Sequence, residues 1–167
     1  MKFPICKVCL KSDILCNQCA EIVKKEGIKS DEIKLFRRLN KLAKKYEPLR
    51  DVEIKRAIDN KNILFIITNK ESASKIIGKN GGMVKRLGKE LGRQIRVVSD
   101  SSSIEQFVKE IFFSTPILGI NVLYTPDGEK YRIRIPSSER VVLPILPEVF
   151  SEIANSLLNI DAELVFE

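Results

Sequence analysis

Two groups of residues in this chain have the types and the spacing to do chemistry. The first is the full cysteine complement, Cys6-Lys7-Val8-Cys9 and Cys16-Asn17-Gln18-Cys19, a C-x2-C pair repeated after six residues. Two-residue spacing lets both thiolates of a pair turn back onto one ion through a tight knuckle. Two knuckles supply the four tetrahedral sulfurs that zinc prefers, with Cys6, Cys9, Cys16 and Cys19 as ligands. Leu10 to Leu15 is long enough to reverse the chain between them. Four thiolates close the coordination sphere, so such a metal is structural rather than catalytic. Paired disulfides are one competing reading. They need export, and the opening MKFPICKVCL is too short and too quickly charged for a secretory h-region. A redox site is another, but thioredoxin-type sites carry one such pair beside a βαβ unit.

The second group is the run Gly78-Lys79-Asn80-Gly81-Gly82, with Lys75, Lys85, Arg86 and Lys89 on either side of it. Apolar spacing places a short helix at Glu71 to Ile77 before it and a longer one at Met83 to Leu91 after it. The second helix therefore opens at glycines that leave its unpaired N–H groups open to an anion. Phosphate oxygens can come close because Gly78 and Gly81 have no Cβ. The competing reading is a plain tight turn between two helices. Against it stand the surrounding cations.

Other chemistry has little material. Histidine is absent, which removes the Ser-His and Cys-His arrangements and the commonest general base. No Walker-type loop is present, and Asp59 and Asp127 both read as turn residues. A non-enzymatic protein is the expectation. No apolar run approaches the ~20 residues of a membrane span, so a soluble, cytoplasmic protein is expected. The formal charge of +7 is unevenly spread. Residues 1–29 carry +3, residues 30–100 carry +9, and residues 101–167 carry −5. A polyanion-binding surface belongs in the middle third, and the last third faces something else.

The elements around the glycine run follow from the periodicity. Ser30 can cap a helix whose apolar face is Ile33, Phe36, Leu39, Leu42, Ala43 and Tyr46, and whose outer face is basic. Pro48 stops it. Strand-like Val52 to Ile58 and Asn62 to Thr68 follow, separated by Asp59-Asn60-Lys61, and a strand at Gln94 to Val98 comes after the two helices. The order is α-β-β-α-loop-α-β. With Ile76-Ile77-Gly78-Lys79-Asn80-Gly81-Gly82-Met83-Val84 at its centre, this segment resembles the I-I-G-x-x-G segment of type II KH domains, as in the transcription factor NusA. The resemblance implies that the loop clamps the backbone of single-stranded RNA. It implies that Lys75, Ile76, Ile77, Gly78, Lys79, Asn80, Gly81, Gly82, Lys85, Arg86 and Lys89 form the binding site. Bases would lie in an apolar groove, with Ile76, Ile77, Val84 and Ile95 lining it or the core beneath. No aromatic residue lies between Asn69 and Gln106, so stacking is not expected to dominate.

The last third repeats the order, offset by about 66 residues. Ser102 and Glu105 can form a capping box for a helix carrying Ile104, Phe107, Val108 and Ile111. Strands at Ile117 to Tyr124 and Tyr131 to Ile135 flank the turn Pro126-Asp127-Gly128. A short helix from Ser138, a helix at Glu148 to Leu158 and a strand at Glu163 to Phe166 complete it. Where the first copy has its glycine loop, the second has Pro144-Ile145-Leu146-Pro147. A bulky apolar loop without a cation does not cradle phosphate. The expectation is therefore an α+β chain of three parts: a four-cysteine zinc knuckle at 1–29, a type II KH domain at 30–100, and a degenerate KH-like domain lacking GxxG at 101–167. An unrelated α+β extension is the alternative for the last part. Residues 30–167 resemble archaeal NusA-like proteins, which carry tandem type II KH units. That implies an RNA-binding factor of transcription elongation or termination, with RNA polymerase or the ribosome met through the acidic last third. The alternatives are a ribosome- or translation-associated factor and a protein-binding scaffold in an RNA-processing complex.

Overall fold

The run Ile63-Leu64-Phe65-Ile66-Ile67 is apolar at every position, and a strand of that kind must be covered on both faces. In the computed structural model, which describes residues 1–60, 63–100 and 103–167, this strand is the middle of a three-stranded sheet, and Leu64 to Ile67 are at most 1% exposed. The chain divides into two units, Met1–Ser101 and Ser102–Glu167.

The first unit runs α1 (Lys7–Lys11), α2 (Asn17–Glu26), α3 (Ser30–Ala43), β1 (Ile54–Asn60), β2 (Ile63–Thr68), α4 (Lys70–Ile77), α5 (Gly82–Leu91) and β3 (Gln94–Ser99). β1 pairs antiparallel with β2, and β2 pairs parallel with β3. The parallel pair needs a crossover, which α4 and α5 supply. Asn69 caps α4, its Oδ1 accepting from the Ser72 N–H at 2.8 Å. Lys29, rather than Ser30, occupies the N-cap of α3, and the Glu32 carboxylate accepts the Lys29 N–H. Of the turn read at Asp59-Asn60-Lys61, the first two residues belong to β1, and Lys61 lies outside the described residues.

Packing joins the cysteine segment to the sheet. Ile5, Cys9, Leu10, Cys19 and Ile28 share one core with Phe36, Leu39, Ile54, Ala57, Leu64, Ile66 and Leu87. Below them sits a fully desolvated ion pair. Arg56 on β1 meets Glu32 on α3 in a fork, Nε to Oε1 at 2.9 Å and Nη2 to Oε2 at 2.8 Å, with both side chains under 7% exposed. Arg56 also donates to the Glu26 carbonyl, and Glu32 accepts from the Ala57 N–H, so α2, α3 and β1 meet at one charge pair. The chain start adds to the sheet as well. The Lys2 N–H donates to the Val52 carbonyl at 2.7 Å, and the Lys2 carbonyl accepts from the Ile54 N–H at 2.8 Å. Lys2 thus forms a parallel bridge with Glu53, and Phe3 packs on Phe36, ring centroids 5.2 Å apart.

The second unit runs α6 (Ile104–Ile111), β4 (Gly119–Thr125), β5 (Gly128–Ile135), a 3-10 turn at Ser137–Val141, α7 (Pro147–Leu158) and β6 (Asp161–Phe166). Its strand order and senses repeat those of the first: β4 antiparallel to β5, β5 parallel to β6. Ile104, Phe107, Val108 and Ile111 are all buried, with Phe107 and Phe112 against Phe150. Ser103 caps α6 by accepting from the Gln106 N–H; Ser102, the N-cap read from sequence, lies outside the described residues.

Candidate nucleic-acid interface and metal centre

The glycine run is a tight, left-handed corner. α4 ends at Ile77, and Gly78 takes φ +71°. A Cβ on Gly78 would sit 2.7 Å from Cβ of Met83, so no other residue fits without moving α5. Asn80 (φ 54°) and Gly81 (φ +71°) are also left-handed. Around Gly81 the nearest side-chain atom to a built Cβ is 3.9 Å away, so glycine there answers to the backbone alone. No side chain caps the N-terminus of α5, and the Gly78, Gly81 and Gly82 N–H groups donate to the carbonyls of Ser74, Gly78 and Lys79.

The flanking residues divide by burial. Ile76 is fully buried and belongs to the core, whereas Ile77 is 40% exposed beside the loop. Lys79, Asn80, Gly82, Lys85, Arg86 and Lys89 are exposed, and none of these four cations is in an ion pair among the described residues. Lys75 is different: its ammonium is 2.9 Å from the Glu71 carboxylate, which it holds below the usual carboxylate range. Next to the loop an open groove of about 690 Å³ runs between α5 and β3. Val84, Gly88 and Ile95 supply its apolar surface, and Lys85, Lys89 and Arg93 its charge. Gly88, Arg93 and Gln94 were missed in the sequence. The signal for Gly88 was a glycine inside a helix: a Cβ there would meet the Arg93 carbonyl at 2.8 Å, so this glycine lets the chain turn from α5 directly into β3.

The four cysteine Sγ atoms lie within 4.8 Å of one another. Each C-x2-C pair opens a helix instead of a free knuckle, because Cys6 and Cys16 are the N-caps of α1 and α2. The contacts cross between pairs. The Cys6 N–H donates to Cys19 Sγ at 3.2 Å, and the Cys16 N–H to Cys9 Sγ at 3.1 Å. The exposed thiols Cys6 and Cys16 are lowered, Cys6 to about 7, chiefly by backbone N–H groups of Cys9 and Cys19 respectively. Burial pushes Cys19 up to about 12. Cys9 is also raised: the Cys16 amide pulls it down, but burial and the thiols of Cys6 and Cys16 outweigh it. Such a quartet ionises fully only around a cation. Four sulfur donors within 4.8 Å of one another are compatible with a single metal ion. The Arg37 guanidinium donates twice to the Cys9 carbonyl, tying the cluster to α3.

In the second unit the loop at the place of the glycine run is a plug. Ile145 is fully buried, Pro144 is buried, and only Leu146 points outward, 52% exposed. Leu146 is the N-cap of α7 and Pro147 its first residue.

Residues 35–112 match the KH domain family, so a KH domain is present over α3 to α6. KH domains bind RNA. A solved chain titled "Crystal structure of APE1850" covers 84% of this chain and 100% of its own length at 21% identity and a TM-score of 0.50, a likeness of fold. No curated protein matches. Among the described residues no helix is long and apolar enough to cross a membrane.

Proposed function

We propose that the first unit clamps single-stranded RNA by its backbone. Phosphates sit at the corner between Lys79 and the first turn of α5, while Lys79, Lys85, Arg86 and Lys89 supply long-range attraction and bases enter the α5–β3 groove. The observation that carries this reading is the corner itself: left-handed Gly78, Asn80 and Gly81 leading into an α5 that no side chain caps. Lys75 contributes less than its neighbours because Glu71 already holds it. Zinc is the metal we assign to Cys6, Cys9, Cys16 and Cys19, on the four clustered sulfur donors. Its role is to fold the start of the chain onto α3.

The biological setting we infer is transcription elongation or termination in the cytoplasm, in the manner of NusA-like proteins, with the acidic second unit meeting a protein such as RNA polymerase. Support comes from the repeated β-β-α-β topology, one copy with its glycine corner and one without. The test is binding to mixed-sequence single-stranded RNA across a salt series, with wild type beside Lys79→Asp/Asn80→Asp. Both positions are exposed, and aspartate tolerates the left-handed backbone at 80. The variant is expected to lose affinity by about tenfold or more, with a shallower salt slope. Equal binding by both proteins would show the corner to be only a turn.

A further inference from the structure

The two sheets differ at one edge. In the first unit the chain's own Lys2 bridges the start of β1's outer edge, its N–H bonded to Val52 and its carbonyl to Ile54, with Phe3 packed on Phe36. β4 occupies the same place in the second sheet, as the end strand that pairs antiparallel with the middle strand. No strand or bridge lies on its outer side among the described residues. β4 reads Gly-Ile-Asn-Val-Leu-Tyr-Thr, with no charged residue and no proline. Folded proteins blunt an open edge with charges, proline or a covering segment, and β4 has neither charge nor proline. Its apolar side chains remain in water: Tyr124 is 80% exposed, Leu118 just before the strand 50%, and Val122 38%.

Charge sets the chemistry of what fits there. Lys130 and Arg132 on β5 share Glu163, and Arg134 pairs with Glu167, so these three cations are held by carboxylates of the same sheet. Asp127 and Glu129 stand at the hairpin end next to Tyr124, and the unit carries −5. We propose that the β4 edge takes an extended segment of a partner protein, alternating apolar with Lys or Arg side chains. That segment adds as a further strand of the sheet. The chain itself shows the pattern, since the segment that bridges the start of β1 is Met1-Lys2-Phe3. This rests on reading the second unit as the protein-facing half, and it stands or falls separately from the RNA clamp.

The test uses the full chain and a synthetic peptide alternating lysine with leucine and phenylalanine, beside the same peptide with glutamate for lysine. The lysine peptide is expected to shift the backbone amide resonances of Gly119 to Thr125 and to slow their exchange with solvent. A Val122→Lys/Tyr124→Lys variant, changed at exposed positions, is expected to bind it at least about tenfold more weakly, while RNA affinity stays within about twofold. Equal binding of both peptides, or shifts confined to α7 or to the glycine corner, would overturn the proposal. So would β4 shifts that grow with protein concentration in the absence of peptide, because the occupant would then be a second copy. Peptide binding kept in the Lys79→Asp/Asn80→Asp chain is expected, and it would support this edge whether or not that chain still binds RNA.

Discussion

The same strand order and the same pair of strand senses occur in both units, yet the segment that precedes the last helix differs completely between them. In the first it is Gly78-Lys79-Asn80-Gly81, turned outward by three left-handed residues and opening an uncapped helix. In the second it is Pro144-Ile145-Leu146-Pro147, with Ile145 drawn fully into the core. One segment uses its conformational freedom for access, the other for packing. The difference teaches that one sheet-and-helix frame carries two kinds of corner, and that a few residues decide whether the corner faces solvent or interior.

The strongest way to break this comparison is to remove the zinc proposed for the four cysteines. Chelation, or Cys9→Ser, should unfold the start of the first unit and lower its stability by about 3 kcal/mol or more, because Cys9 and Cys19 lie in the core shared with α3 and β1. Amide exchange should show protection lost in α1 to α3 and kept in β4 to β6. A similar loss of about 3–5 kcal/mol is expected for Glu32→Met in chemical denaturation, since it leaves the Arg56 charge buried without its partner. Changing both residues to apolar ones of similar volume should recover most of that.

Finer changes sharpen the contrast between the corners. Gly78→Ala adds a methyl 2.7 Å from Met83 Cβ at a left-handed φ; about 2 kcal/mol of stability and most RNA affinity should go together. Leu146→Lys places a cation on the exposed residue of the second corner, and it should change neither stability by more than about 0.5 kcal/mol nor RNA binding in a filter assay. The smallest effect is one of pH. Hydrogen bonds from Lys130, then Arg132, hold Glu163 below the ordinary carboxylate value of about 4.3. A depressed carboxylate stabilises the fold above its unfolded value, so that part is present at neutral pH and fades as pH falls through and below about 4. Thermal melts of the second unit should decline there and not between about pH 6 and 8.

Much of this was legible from residue pattern. The helices and strands directly around the glycine run lie within about two residues of the periodic reading, because each apolar stripe is bounded by Gly78, Gly92 or a turn, whereas α3 ends at Ala43, short of Tyr46 and Pro48. The clustering of the four cysteines was legible from spacing alone; their placement at helix N-termini was not, since a helix as short as α1 has almost no period to read. The Arg56–Glu32 pair was invisible for another reason. Both residues look like surface charges among many, and only the meeting of β1 with α3 buries them. Ile76 and Ile77 are adjacent and chemically alike, yet one is core and one is exposed, a distinction set by the rotation of α4 that no composition reveals. The strand at Lys2 is a single bridge, too short for any alternation to mark it.

Ile145 has a further consequence for how one corner can change into the other. Putting glycine at 144 and 147 would not recreate a phosphate cradle, because the residue between them is anchored in the interior. Replacing Ile145 by a small residue opens a cavity that costs about 2–4 kcal/mol, and replacing it by lysine buries a charge. Each single step back is downhill in stability before any ligand contact is regained. The plug is thus a ratchet: mutation can enter it one residue at a time, but leaving it requires several changes at once.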